Sequence, residues 1–282
     1  MTNNPLTNYS AKPGMFVHLP SNGKYYITKP TLTADGDIEV HPLTAIDELY
    51  LKNPDGLYNN ESLFKVFKNT VPGIADPSEI PTPDLDALFI ALRIATYGNE
   101  MAVSAKCSKC AHIEEYNINL VPLLQKAGQM NPTDTVEIDG LTIHLRPYSM
   151  LSNSRISEYT LAVASAAKKA HASIVDEDNE DLRKNLSNAI ASNTESLINI
   201  AATCVVKIVI PEHDDNNQEI VTDPVHINEY VRKLSSPNYN KLRDVLVNLS
   251  KEVIDRKFKY KCSECEFDNS GEVSFDPSHF FG

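Results

Sequence analysis

An α+β fold, a β-hairpin-rich platform with an inserted α-helical module, is predicted by three features of this 282-residue sequence. Short alternating segments punctuated by turn residues recur towards both ends. Two long helical periods, residues 149–174 and 181–206, lie between them. Two Cys-x-x-Cys pairs, Cys107/Cys110 and Cys262/Cys265, each sit between a pair of alternating segments.

Residues 1–40 read as a strand-rich arm. MFVHLPSNGKYY carries β-formers on both sides of Ser21-Asn22-Gly23, a hairpin turn signal, and a second short pair flanks Ala34-Asp35-Gly36. Residues 41–148 add helices and the first cysteine hairpin. One helix covers 43–51 and is opened by Thr44. Another covers 61–71, with Leu63, Phe64, Val66 and Phe67 as its apolar set and Pro72-Gly73 as its stop. After a proline-rich loop at 76–83 comes PDLDALFIALRIATYG. Pro83 suits its first turn, Asp84 and Asp86 complement its dipole, and Gly98 caps its end. Residues 100–120 alternate as a hairpin with Cys107-Ser108-Lys109-Cys110 at the tip, and DTVEIDGLTIHLR is a second hairpin turned at Asp139-Gly140.

Residues 149–207 are the inserted module: two helices separated by the acidic DEDNED loop, hence an antiparallel helical hairpin. In residues 208–282 a strand, the polar EHDDNNQ loop and a second strand span 207–222. Helices follow over 225–234 and 237–253, and KFKYKCSECEFDNSGEVSF closes the chain as a hairpin holding the second cysteine pair.

Composition narrows the chemistry. A 41% hydrophobic content suffices for a sizeable core, and a net charge of −12 counts against nucleic acid as a partner, because phosphate neutralisation supplies most of such affinity. No window approaches the ~18 apolar residues of a membrane span. The opening MTNNPLTNYSAKPG lacks a signal peptide's apolar run, so a reducing cytosol is the expected compartment. There, paired cysteines act as metal ligands or redox groups and not as disulfide staples. The fifth cysteine, Cys204, lies in AATCVVKIVI and reads as a small buried hydrophobe.

Lys106-Cys107-Ser108-Lys109-Cys110 and Lys261-Cys262-Ser263-Glu264-Cys265 have the form of zinc knuckles, tight turns that aim two thiolates to one side. Zinc takes four ligands in a tetrahedron, so two knuckles complete one closed Cys₄ site, a split zinc ribbon with one structural Zn²⁺ per chain. Residues 111–261 separate the pairs, against about 15–20 residues in a compact ribbon. The intervening segment forms its own module and can return the chain to the metal. A thioredoxin-like redox pair would open a helix, where the dipole lowers a thiol pKa, whereas both pairs here lie between strands. Chance core cysteines fit poorly with flanking Lys and Ser.

A catalytic site finds little support. None of the eight histidines lies four residues from another, and with ten glycines the chain has neither a phosphate loop nor a dinucleotide fingerprint. His112 could donate to a thiolate or replace one, or it is a strand-surface residue. Asp176, Glu177, Asp178, Glu180 and Asp181 lack the glycine and terminal glutamate of a calcium loop. Two segments suit partners instead. The N-terminal arm offers Phe16, Val17, Leu19, Tyr25 and Tyr26 on an extended stretch. The tail FDPSHFFG places Phe280 and Phe281 either on the zinc ribbon or in a neighbouring protein.

The order of these features carries a family resemblance. LPSNGKYY precedes a short helix ending near DELYLKNPDGL. Then DLDALFIALRIATYGNE, with Arg93, Tyr97 and Gly98, leads into KCSKC, and a long helical insertion precedes KCSEC. Over roughly residues 15–275 the chain resembles the T4-type phage baseplate protein family, baseplate hub components or hub assembly proteins of contractile tails. The resemblance implies a non-enzymatic protein that joins other phage baseplate and tail hub proteins. It would take no small-molecule substrate and meet no membrane, and it would reside in the virion tail baseplate or in the host cytoplasm during assembly. The alternative is a zinc-ribbon nucleic-acid-binding regulator. It would use the lysines around the knuckles (Lys106, Lys109, Lys257, Lys259 and Lys261), although lysines that blunt sheet edges account for them equally well.

Overall fold

The computed structural model describes residues 14–53, 60–125, 133–172, 180–211, 219–275 and 280–281, in a mixture of helix and sheet. The chain divides into two compact units: residues 1–130 together with 252–282, and residues 131–251. The EHDDNNQ loop and most of the DEDNED loop lie outside the described residues.

In the first unit β1 (Met15–His18) pairs antiparallel with β2 (Asp37–Val40), Met15 opposite Val40 and His18 opposite Asp37. This overturns the hairpin expected across Ser21-Asn22-Gly23. That turn forms, with Asn22 and Gly23 at positive φ, but residues 24–28 do not return as a strand. The reason is tertiary. The Ser21 N–H and hydroxyl donate to the Asp84 carboxylate at 2.8 and 2.5 Å, and Tyr25 and Tyr26 are buried. The arm's aromatics are therefore mostly core. Leu19 is fully buried, and of the five residues expected as a docking edge only Phe16 stays exposed.

Next come α1 (Ala45–Leu51), opened by a capping box between Thr44 and Asp47, and α2 (Glu61–Thr70). A 3₁₀ turn (Pro77–Glu79) leads to α3 (Thr82–Tyr97), with Gly98 at φ 88° ending the helix where a side chain would be strained. Residues Ala87 to Leu92 of α3 are all buried, so the helix is covered on every side there, as a central core helix is. It packs on β1 and β2, and around it Ile38, Val66, Phe67, Ile74 and Ile80 are almost wholly buried. Each contributes about 1.5–3 kcal/mol of transfer free energy. Asp84 and Asp86, expected to complement the dipole of this helix, stand in its first turns but are buried and tied to Ser21 and Arg256.

The first unit is completed by β3 (Glu100–Lys106), β4 (Ile113–Asn119) and a short α4 (Val121–Gln125). Its second chain segment supplies a last hairpin, here β9 (Lys257–Lys261) and β10 (Asp268–Glu272). Each hairpin is a separate two-stranded sheet. Phe280 and Phe281 tuck in, their rings meeting Phe275 and Phe89 of α3. Arg93 holds this end down, donating to the Phe280 carbonyl at 2.6 Å while its guanidinium lies over the Tyr97 and Phe280 rings.

The second unit is a four-stranded antiparallel sheet in the order β5 (Thr135–Ile138), β6 (Leu141–Leu145), β7 (Val205–Ile210), β8 (Glu219–Val221). Asp139 and Gly140, both at positive φ, make the tight β5–β6 turn that the Asp-Gly pair predicts. The adjacent β6 and β7 are joined through α5 (Met150–Ala172) and α6 (Glu180–Thr203), which pack on each other. Then α7 (Pro224–Arg232), capped by Asp223, and α8 (Ser236–Leu249) complete the unit. Its core holds Ile143, Ile208, Ala201, Leu242, Leu246 and Cys204. Burial pushes the Cys204 thiol up to about 12, as befits a small hydrophobe.

Candidate metal centre

The knuckles are built by matching local geometry. In the first, the Cys107 N–H donates to the His112 carbonyl at 2.8 Å and the Ala111 N–H to the Cys107 carbonyl at 3.0 Å. In the second, the Cys262 N–H donates to the Phe267 carbonyl at 3.1 Å and the Glu266 N–H to the Cys262 carbonyl at 3.0 Å. Ala111 and Glu266, each just after the second cysteine, take left-handed φ values of 61° and 54°. Non-glycine residues rarely do so, and here the conformation folds each pair back on itself.

The two hairpins meet cysteine to cysteine. All four Sγ atoms lie within 4.8 Å of one another, and two pairs across the hairpins, Cys107–Cys265 and Cys110–Cys262, are 3.6 Å apart. All four are free thiols. The arrangement could hold a metal ion. His112 gives its backbone carbonyl to the knuckle, and its ring is not among the clustered donors.

Side chains that the sequence reading missed clamp the hairpins together in a near-twofold exchange. The Ser108 N–H and hydroxyl donate to Asn269 Oδ1 at 3.0 and 2.8 Å, and Asn269 Nδ2 lies 3.5 Å from Cys107 Sγ. In return the Ser263 hydroxyl donates to Glu114 Oε2 at 2.6 Å. Ser108 and Ser263 hold the same place in their knuckles, and Glu114 and Asn269 are each the second residue of the strand that follows. The signal was present in sequence as a shared Cys-Ser-x-Cys with a hydrogen-bonding residue seven places after the first cysteine. Tyr260 adds a bond to the Lys106 carbonyl at 2.9 Å and a ring contact with Tyr116 at 4.5 Å. The Phe258 ring fills the space where any side chain on Gly271 would stand, within 2.5 Å of the Cβ position.

Electrostatics favour a cation among these sulfurs. The Cys110 N–H, with help from the Lys109 N–H and Asn269, pulls the Cys107 thiol down to about 6. Cys110 goes the other way. The His112 N–H lowers it, but burial and the three neighbouring thiols push it up to about 12. Thiolates this close repel one another, and a positive ion between them would relieve that repulsion.

Two of the five knuckle lysines face acids. Across the β9–β10 ladder Lys261 faces Asp268 and Lys257 faces Glu272, leaving only Lys259 opposite a neutral Ser270. Lys261 also lies 3.4 Å from Glu266, and the Lys109 ammonium lies over the Phe267 ring. Among the described residues no helix is long and apolar enough to cross a membrane.

Fold and centre together define a mixed α/β protein of two units, whose first unit is closed by a four-cysteine cluster drawn from distant parts of the chain. This chain belongs to the T4 bacteriophage base plate protein family, which it matches over residues 15–282. No curated protein and no solved structure matches it significantly. Membership assigns the chain a structural role in a phage baseplate, in the virion tail and in association with other baseplate proteins.

Proposed function

We propose that the protein is a non-enzymatic structural or assembly component of the hub region of a contractile-tail baseplate, and that one structural zinc ion holds its first unit closed. The family match over residues 15–282 carries the baseplate part of this reading, and the convergence of Cys107, Cys110, Cys262 and Cys265 carries the zinc part. A tetrahedral Zn²⁺ with Zn–S bonds of about 2.3 Å needs sulfurs about 3.8 Å apart; two pairs across the hairpins stand at 3.6 Å and all four sulfurs lie within 4.8 Å of one another. Four thiolates leave no open position for a substrate or an activated water, so the metal folds the chain and does not react. The hairpins form a ribbon split between two chain segments. Residues 41–148 and 208–282 contribute one knuckle each, and the helical hairpin within residues 149–207 serves as a module offered to partners.

Elemental analysis of the purified chain should give about one zinc per molecule, and Cys262→Ser should lose both the metal and the ordered β9–β10 hairpin. Structural zinc contributes an apparent ~10–16 kcal/mol in small domains, so the loss is large in any melt. A metal-free native protein, or a Cys107–Cys110 disulfide in its place, would overturn the zinc centre. The hub assignment is tested separately by mass spectrometry of purified tails and of assembly intermediates from infected cells.

A further inference from the structure

Between α1, α2 and the turn at 75–77 lies a cleft of about 590 Å³, within the roughly 300–1,000 Å³ typical of binding clefts. Tyr50, Phe64 and Pro77 give it an apolar lining. Its rim is basic, because Lys65 and Lys68 stand three residues apart on the exposed side of α2. Neither ammonium is neutralised. Lys65 Nζ lies over the Tyr50 ring, 5.4 Å from its centroid, and Lys68 Nζ donates to the Ala75 carbonyl. Among the described residues no carboxylate comes within ion-pair distance of either. Asp76 also lines the cleft, its carboxylate accepting from the Ser78 N–H at 2.9 Å, so the rim carries two ammoniums and one carboxylate.

Two ammoniums against one carboxylate leave the rim of this apolar hollow net positive in a chain of net charge −12. We propose that this cleft docks an acidic segment of another baseplate protein, with carboxylates meeting Lys65 and Lys68 and an apolar side chain seated over Tyr50 and Phe64. Charge complementarity selects the partner. A carboxylate-bearing protein segment satisfies both rim and lining, whereas a nucleic-acid backbone would satisfy the rim alone and meet the field of an acidic protein. This inference rests on the baseplate reading above.

Carbodiimide, which joins an amine to a carboxylate without a spacer, tests it on baseplate assemblies purified from infected cells. The expected result is amide links from Lys65 or Lys68 to Asp or Glu of a different baseplate protein. Phage carrying Lys65→Glu with Lys68→Glu, both at exposed positions, should incorporate the chain about tenfold less or worse, since like charges then face each other, with an unchanged melt of the purified variant. Links from other lysines of the chain with none from these two overturn the inference alone, as do links from these two only to acids of a second copy. Absence of the chain from every assembly overturns the baseplate reading, and this inference with it.

Discussion

Arg256→Ala should cost the first unit far more than its position, just before β9, suggests. Arg256 forks onto Asp86, Nε to Oδ2 at 2.9 Å and Nη2 to Oδ1 at 2.7 Å, and it also reaches Glu252 at 2.6 Å. Its guanidinium covers Phe275 at 4.6 Å. The Asp86 side chain is only 6% exposed, and burial already draws its carboxyl above the ordinary range although Arg256 pulls it down. Truncating the arginine leaves a buried carboxylate without its counter-charge, a loss of about 3–5 kcal/mol, whereas replacing both partners with apolar residues of similar volume is often close to neutral. The deficit should depend on pH. With Arg256 gone nothing offsets desolvation, so the folded-state pKa of Asp86 rises further above its unfolded value. The variant's stability is then highest below that unfolded value and is lost as pH rises through the folded one. Hydrogen exchange of α3 amides isolates the first unit from the second and reports the free energy directly. A loss under about 1 kcal/mol at neutral pH, the range of an exposed pair, would refute the reasoning. So would a deficit that stays constant on acidification.

Asp84 gives a second pH dependence. Burial raises its carboxyl to about 6, against the lowering effect of the Ser21 hydroxyl and N–H. Its contribution is therefore fully present below about pH 4 and is lost as pH rises through 6, by up to ~3 kcal/mol at about 1.4 kcal/mol per unit. The unfolding midpoint followed from pH 4 to 7 should fall less steeply for Asp84→Asn than for the unaltered chain, and equal slopes would contradict the assignment. Phe280 is fully buried and packs edge-on against Phe275 and Phe281. Phe280→Ala should cost about 3–5 kcal/mol in the same exchange assay, and a cost near zero would mean the tail does not pack.

Several elements were legible residue by residue because their causes are local. Asp139-Gly140 supplies two positive-φ residues, which is all a two-residue turn needs. Thr44 and Asp47 cap α1 within one turn, and Gly98 ends α3. The Ser21-Asn22-Gly23 signal was just as local and made a turn, yet misassigned the strand pairing. Whether residues 24–28 return along β1 depends on a carboxylate 63 positions away that holds Ser21.

The sequence by itself determined most helices, the tips of the hairpins and the identity of the four cysteines, since periodicity, turn chemistry and Cys-x-x-Cys spacing act over a few residues. Only the tertiary structure decided that β1 pairs with β2, that Asp84 and Asp86 are buried under Ser21 and Arg256, and that Phe280 and Phe281 seat on α3. It likewise decided that Ser108–Asn269 and Ser263–Glu114 lock one knuckle to the other. A buried polar group must find its partner wherever folding brings surfaces together, so that choice is set by packing across the chain and not by neighbouring residues.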